Sequence, residues 1–140
     1  MRNSADIRYI EMLDDFYWSA FNQAVAVGST HHSNAFGYES VSYNQEANNQ
    51  LYTIFDTGTA SINFSALYFD DLIEKIFEYV GGDDYEIVQG YVVTKCYGNF
   101  PSLFFMFDLQ WIEVKPNEYV KDISDAQDLS QCLLMVVASQ

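Results

Sequence analysis

Basic residues are scarce in this chain of 140 residues. Six Lys and Arg residues stand against 20 Asp and Glu, which gives a formal charge of −14 and an isoelectric point near 4.1. The negative electrostatic field of such a chain repels phosphate groups, so nucleic acids and anionic membrane surfaces are not expected as partners. Because bases are so few, the chain gains little positive charge when its carboxylates protonate, and we expect limited self-repulsion in acid.

Long apolar runs are also lacking, and cysteines are few. No run approaches the roughly 20 residues of a membrane-spanning helix, and the opening MRNSADIRYIEM has no segment of the signal-peptide type. We therefore expect no membrane contact, and either a cytosolic protein or a chain without its native N-terminus. There are two cysteines, Cys96 and Cys132, and their number alone leaves open whether they pair.

Apolar and aromatic residues are abundant by contrast, at 49% and 17% of the chain. This content suffices for the core of one domain, and the many aromatic and β-branched residues favour sheet. We predict strands over residues 9–12, in DDFYWSAFNQAVAVG up to Gly28, and briefly over 38–43 within a polar segment. Later strands are predicted in EIVQGYVVTKC, SLFFMFD, QWIEVKP and QCLLMVVASQ, the last with a buried strand over 133–137.

One amphipathic helix is predicted in SALYFDDLIEKIFEYVGG. Its apolar residues recur at helical spacing and comprise Phe69, Leu72, Ile73, Ile76, Phe77 and Val80. Ser65 is a suitable N-cap, Asp70 and Asp71 favour the early turns, and the pair Gly81-Gly82 ends the helix.

The segment LYTIFDTGTASI places one carboxylate, Asp56, at the end of an apolar strand and follows it with Thr57, Gly58 and Thr59. Glycine lets the backbone turn where a side chain would obstruct it. An ordinary turn is one interpretation, since Asp, Thr and Gly are common turn residues. A presented, functional acid is the other, and the preceding strand and the following helix favour it.

This segment resembles the catalytic loop of the pepsin-like aspartic proteases, in their C-terminal lobe. The chain contains a series of features in the family's order. They are the pair Tyr17-Trp18 before a strand and a turn glycine, FDTGTASI, ALYFDDLIEKI, Cys96, FPSLFFMFD, VKPNEYV and Cys132. The resemblance covers about residues 7–140. It implies a mostly β, pepsin-like lobe of antiparallel sheets, with one clear amphipathic helix after the catalytic loop. We expect residues 1–140 to form a single, partial domain.

The resemblance implies an aspartic endopeptidase that uses neither a cofactor nor a metal, with Asp56 as one member of the catalytic pair. Gly58 and Thr59 would bind the peptide or protein substrate, and Thr57 and Ala60 would support the active site. Ala60 departs from the family, which usually has serine there, so a supporting hydroxyl is absent.

The resemblance also implies that Cys96 and Cys132 form a disulfide. Disulfides form in oxidising compartments, so this pairing implies the secretory pathway and a lysosomal, vacuolar or extracellular destination.

One Asp-Thr-Gly occurs in the sequence, whereas this chemistry needs two carboxylates that share a proton. The partner aspartate is expected from a missing N-terminal lobe or from a second chain. Two alternatives stay open: a retroviral-protease-like homodimer in which each copy supplies one aspartate, and a catalytically inactive relative that serves as a binding or structural module.

Three other features have simple interpretations. The adjacent His31 and His32 lie in the polar segment without ligands at metal-binding spacing, so no metal site is expected. Asn63-Phe64-Ser65 matches the N-glycosylation pattern, but a helix cap at Ser65 is the favoured interpretation. The acid-rich run 122–128 is expected to be a solvated loop.

Overall fold

The structure is a computed structural model that describes residue 9 and residues 18–29, 39–42, 51–56 and 58–139. For residues 39–42, 51 and 52 it describes the backbone alone. The described residues form strands and two helices in this order: β1 (Ser19–Gly28), β2 (Glu39–Ser42), β3 (Leu51–Ile54), β4 (Ile62–Phe64), α1 (Ala66–Val80), β5 (Tyr85–Val88), β6 (Tyr91–Thr94), β7 (Ser102–Phe107), β8 (Gln110–Val114), α2 (Pro116–Tyr119), β9 (Val120–Asp122), β10 (Cys132–Leu134) and β11 (Val136–Ala138).

Strand β1 organises the largest sheet. Its residues 22–28 pair with β7, residues 19–22 with β3 and residues 24–27 with β2, and β8 continues the sheet beyond β7. A second sheet has the order β5-β6-β10-β9. All these pairs are antiparallel, as predicted, whereas β4 and β11 form a parallel pair. The predicted mostly β fold is confirmed.

The predicted helix is confirmed at both ends. Ser65 is the N-cap, with its hydroxyl accepting from Leu67 N at 3.3 Å. Gly81 ends α1 in the left-handed region at φ 82°, and its N–H donates to Phe77 O. The predicted apolar residues are the ones that the helix buries: Phe69, Leu72, Ile73, Ile76, Phe77 and Val80. Asp70 and Asp71 lie in the second turn of α1, and the first turn has no acid.

These helix residues pack with both larger sheets and with β4 and β11 in one core. The sheet residues of that core include Val25 and Val27 of β1, Leu103 and Phe105 of β7, and Val92, Leu134 and Val136 of the remaining strands. A disulfide joins Cys96, just after β6, to Cys132 at the start of β10, with Cα atoms 5.1 Å apart. The disulfide pairing is confirmed.

The prediction of one strand over residues 133–137 was wrong. The chain changes sheets at Met135, between β10 and β11. Met135 N donates to Tyr119 O at 2.7 Å, and Met135 O accepts from Ile62 N at 2.8 Å. Met135 therefore forms a backbone hydrogen bond with each of the two neighbouring segments. The apolar run continues through Met135 because residues on either side of it are buried, first in one sheet and then in the other.

The other local predictions agree with the structure where they can be compared. The short strand in the polar segment is β2, and residues 122–128 are exposed apart from the half-buried Ile123. The strand predicted over 9–12 lies outside the described residues apart from Tyr9. Neither α1 nor α2 has the length and apolar character that crossing a membrane requires.

Candidate active site

Two contacts hold the chain where β3 leads into Asp56. Phe55 N donates to Trp18 O at 2.7 Å, which extends the β1–β3 pairing by one hydrogen bond. The Phe55 ring packs edge-on against the ring of Phe107, with centroids 5.1 Å apart. Phe107 is the buried last residue of β7, so the residue before the acid packs against an inner strand of the sheet.

The carboxylate of Asp56 accepts one hydrogen bond on each oxygen. Gly58 N donates to Oδ1 at 2.9 Å, and the Thr59 hydroxyl donates to Oδ2 at 2.8 Å. Thr59 N also donates to the Asp56 carbonyl at 3.2 Å, which closes the turn. The loop thus folds back on its own acid and fixes the orientation of the carboxylate.

Both donors favour the charged form of Asp56. The Gly58 N–H, followed by the Thr59 hydroxyl, lowers the pKa of the carboxyl below its usual value, and slight desolvation opposes them. The side chain is exposed to solvent. Asp56 is therefore an oriented, solvent-facing anion, held by its own loop as in an Asx-turn.

Gly58 is set close against this carboxylate. A Cβ added there would lie 3.3 Å from Asp56 Oδ1, closer than ordinary van der Waals contact. A side chain at this position would push on the acid or lengthen the hydrogen bond from the N–H. The glycine therefore permits the approach of the backbone donor to the acid.

Large apolar side chains lie exposed beside the acid. Trp18 is 69% exposed, Ile54 48% and Phe55 41%, and these residues are adjacent because Ser19 pairs with Ile54 in the β1–β3 register. Ile54 and Phe55 are successive residues of the paired segment, so their side chains point to opposite faces. Asp56 thus directly follows a strand end that exposes apolar side chains.

The structure brings together most of the loop residues predicted from the sequence. Gly58 and Thr59 both contact Asp56, and Ala60 is exposed in the same loop. Thr57 lies outside the described residues, and the roles in binding and support stay predictions. Sequence reasoning missed Phe107, because no local pattern links a residue of β7 to a loop so distant in the chain.

Other candidate sites lie away from this loop. His31 and His32 fall outside the described residues. Within the described part, Cys96, Asp122 and Cys132 bring three possible ligand atoms within 4.8 Å of one another, but the disulfide leaves neither sulfur as a thiolate ligand. An open polar cavity of about 570 Å³ between β5, β6 and residues 128–131 includes no residue of the Asp56 loop.

Comparison with known proteins identifies a family for the chain. No curated protein matches the chain. The family model described as eukaryotic aspartyl protease matches residues 2–140, nearly the whole sequence. The chain therefore belongs to the eukaryotic aspartyl protease family.

Proposed function

We propose that the protein is an aspartic endopeptidase in which this chain supplies one of two catalytic aspartates, Asp56. The observation that supports this role most directly is the doubly hydrogen-bonded carboxylate, oriented by Gly58 and Thr59 and facing solvent beside exposed apolar side chains. Exposed acids elsewhere accept similar bonds, as Asp125 does from Gln127 N and Asp128 N. What distinguishes Asp56 is the set of exposed apolar side chains beside it. Membership of the protease family gives this geometry its chemical context.

The chemistry requires a second carboxylate. Two carboxylates about 3 Å apart cannot both ionise, so they share one proton. The pair takes a proton from water while it donates a proton to the carbonyl oxygen of the peptide, and the water oxygen bonds to the carbonyl carbon. Proton transfer to the nitrogen then lets the C–N bond break. The donors on Asp56 favour negative charge on its side, although the titration belongs to the pair.

The partner aspartate is proposed to come from an N-terminal lobe. One Asp-Thr-Gly occurs in the sequence, and the exposed side chains of Trp18, Ile54 and Phe55 offer apolar groups beside Asp56 for a second lobe to cover. The features around Asp56 resemble those of a longer lobe with its disulfide, which disfavours the homodimer. Gly58 and Thr59 are proposed to contact the substrate peptide.

The secretory pathway, with a lysosomal, vacuolar or extracellular destination, is proposed for this enzyme. The disulfide between Cys96 and Cys132 supports an oxidising route. The small number of bases supports function in acid, because protonation of the carboxylates leaves little net positive charge.

The test is Asp56→Asn in the complete two-lobed enzyme, with Asp71→Asn as the matched control. Both changes remove one exposed carboxylate, but Asp71 lies on the solvent side of α1. We expect Asp56→Asn to lower peptide hydrolysis at acidic pH by on the order of 10⁴-fold. Asp71→Asn should keep normal turnover, and both variants should give the circular dichroism of the wild type.

Each alternative has its own outcome in this assay. Unchanged turnover in Asp56→Asn would refute the catalytic assignment. Hydrolysis by this chain alone, rising with the square of its concentration and blocked by pepstatin, would establish the homodimer. A folded two-lobed protein that hydrolyses no peptide would establish the inactive module.

A further inference from the structure

We propose that Asn63 is an N-glycosylation site, carrying an oligosaccharide on the solvent side of the β4–β11 sheet. Asn63-Phe64-Ser65 is the sole Asn-x-Ser/Thr sequence in the chain. The pattern alone is weak, since many such sequences carry no sugar. The structure adds three observations, which concern the face of β4, the reactive nitrogen and the hydroxyl of Ser65.

Strand alternation turns Asn63 away from the core. On β4, Phe64 is 4% exposed and its ring packs against that of Phe105, with centroids 6.4 Å apart. Successive side chains of a strand point to opposite faces, so Asn63 points outward, and it is exposed. A bulky sugar on Asn63 therefore extends into solvent without displacing any core residue.

The nitrogen that would bear the sugar is available. The Asn63 side chain accepts from the Ser61 hydroxyl through Oδ1 at 3.3 Å, which leaves Nδ2 outside this bond. Within the described part of the chain, Nδ2 donates no hydrogen bond. Attaching a sugar to Nδ2 thus breaks no hydrogen bond between described residues.

Ser65 has two roles at different times, first in the sequence recognised for sugar transfer and then as the N-cap of α1. Its hydroxyl completes the acceptor sequence while the chain is still extended, before α1 forms. In the folded protein the same hydroxyl accepts from Leu67 N as the helix N-cap. The helix-cap interpretation and glycosylation of Asn63 are therefore compatible.

The donor of the sugar is an oligosaccharide that is linked to a lipid through pyrophosphate. The bond from Asn63 Nδ2 to the first sugar carbon forms as the bond from that carbon to the pyrophosphate oxygen breaks. Nδ2 loses one proton, and the lipid pyrophosphate leaves with the bonding electrons. This donor is used in the compartment where disulfides form, and the Cys96–Cys132 disulfide supports passage of the chain through it.

Variants at two positions separate the sugar from the helix cap. Asn63→Gln removes the acceptor nitrogen and keeps the cap. Ser65→Asp removes the acceptor sequence but keeps a good N-cap, whereas Ser65→Thr keeps both. The proposal does not depend on catalysis, so Asp56→Asn should carry the same sugar as the wild type.

The experiment expresses the full chain through the secretory pathway of a eukaryotic cell and compares its mass before and after peptide N-glycosidase. We expect one sugar on the wild type, Ser65→Thr and Asp56→Asn, with an aspartate left at position 63 after enzymatic release. Asn63→Gln and Ser65→Asp should carry none. An unmodified Asn63 in the disulfide-bonded wild type would overturn the proposal, as would a sugar that persists in Asn63→Gln. Because transfer precedes folding, the mass of the peptide containing residue 63 decides the outcome even for a variant that folds poorly.

Discussion

Removing the buried hydroxyl of Tyr119 tests which interactions stabilise this fold. Tyr119 is 1% exposed, and its hydroxyl donates to the carbonyl of the buried Pro101 at 2.6 Å. Its own carbonyl accepts from Met135 N at 2.7 Å, at the point where the chain changes sheets. Tyr119→Phe removes the donor and leaves the Pro101 carbonyl buried without it, while the aromatic ring still fills its space.

The expected loss is about 1–3 kcal/mol of the free energy of unfolding, the cost of a buried acceptor that has lost its partner. Tyr97→Phe is the matched control, since it removes a phenol hydroxyl that accepts from the exposed Asp84 N at 3.0 Å. Water replaces that acceptor, so we expect a change within about 0.5 kcal/mol. Burial, with a smaller contribution from Tyr79, raises the pKa of Tyr119 far above its usual value, so its hydroxyl keeps its proton in mild alkali.

Urea denaturation of the two oxidised variants, followed by far-UV circular dichroism, measures the difference. For a chain of this length, about 2 kcal/mol corresponds to a fall of about 8 °C in Tm. Equal losses in the two variants would refute the argument that burial of the acceptor sets the cost. A loss below about 0.5 kcal/mol for Tyr119→Phe would show that the Pro101 carbonyl finds another donor.

Replacing both Cys96 and Cys132 by serine should cost about 4 kcal/mol, the loop-closure entropy for cysteines 36 positions apart. Urea denaturation measures this loss of unfolding free energy, and a loss below about 1 kcal/mol would contradict a stabilising role for the disulfide. Asp122 gives a pH-dependent effect, because the hydroxyl and then the N–H of Ser124 lower the pKa of its carboxyl from the ordinary 3.8. This stabilisation is present above the ordinary pKa and is lost as pH falls through the lower folded value, so the stability gap between wild type and Asp122→Ala should close in acid. A gap that stays constant across that range would rule out titration of Asp122 as its cause.

Local patterns predicted those elements whose interactions are local. Helix α1 was predicted with both ends because its apolar spacing, the Ser65 cap and the Gly81 stop all act within a few residues. The exposed turn at Asp56 follows from the same kind of information. The Asp-Thr-Gly segment places its own donors within hydrogen-bond reach of its own acid.

Local patterns failed where partners are distant in the chain. The apolar run 133–137 looked like one strand, but its two halves pair with different sheets on either side of Met135. The cysteine count left the pairing of Cys96 with Cys132 open, and the family resemblance supplied it. The contact between Phe55 and Phe107 had no signal at all, because both residues are ordinary strand aromatics.

The sequence by itself determined the acidic character of the protein, its sheet-rich composition, the helix and the acid followed by Thr-Gly-Thr. These follow from charge, hydrophobic periodicity and backbone conformational preference, which act along the chain. The tertiary structure alone decided how β1 joins three strands, how β4 meets β11 in parallel, and which aromatic ring anchors the residue before Asp56. These depend on long-range pairing and on core packing, whose partners the chain brings together only when it folds.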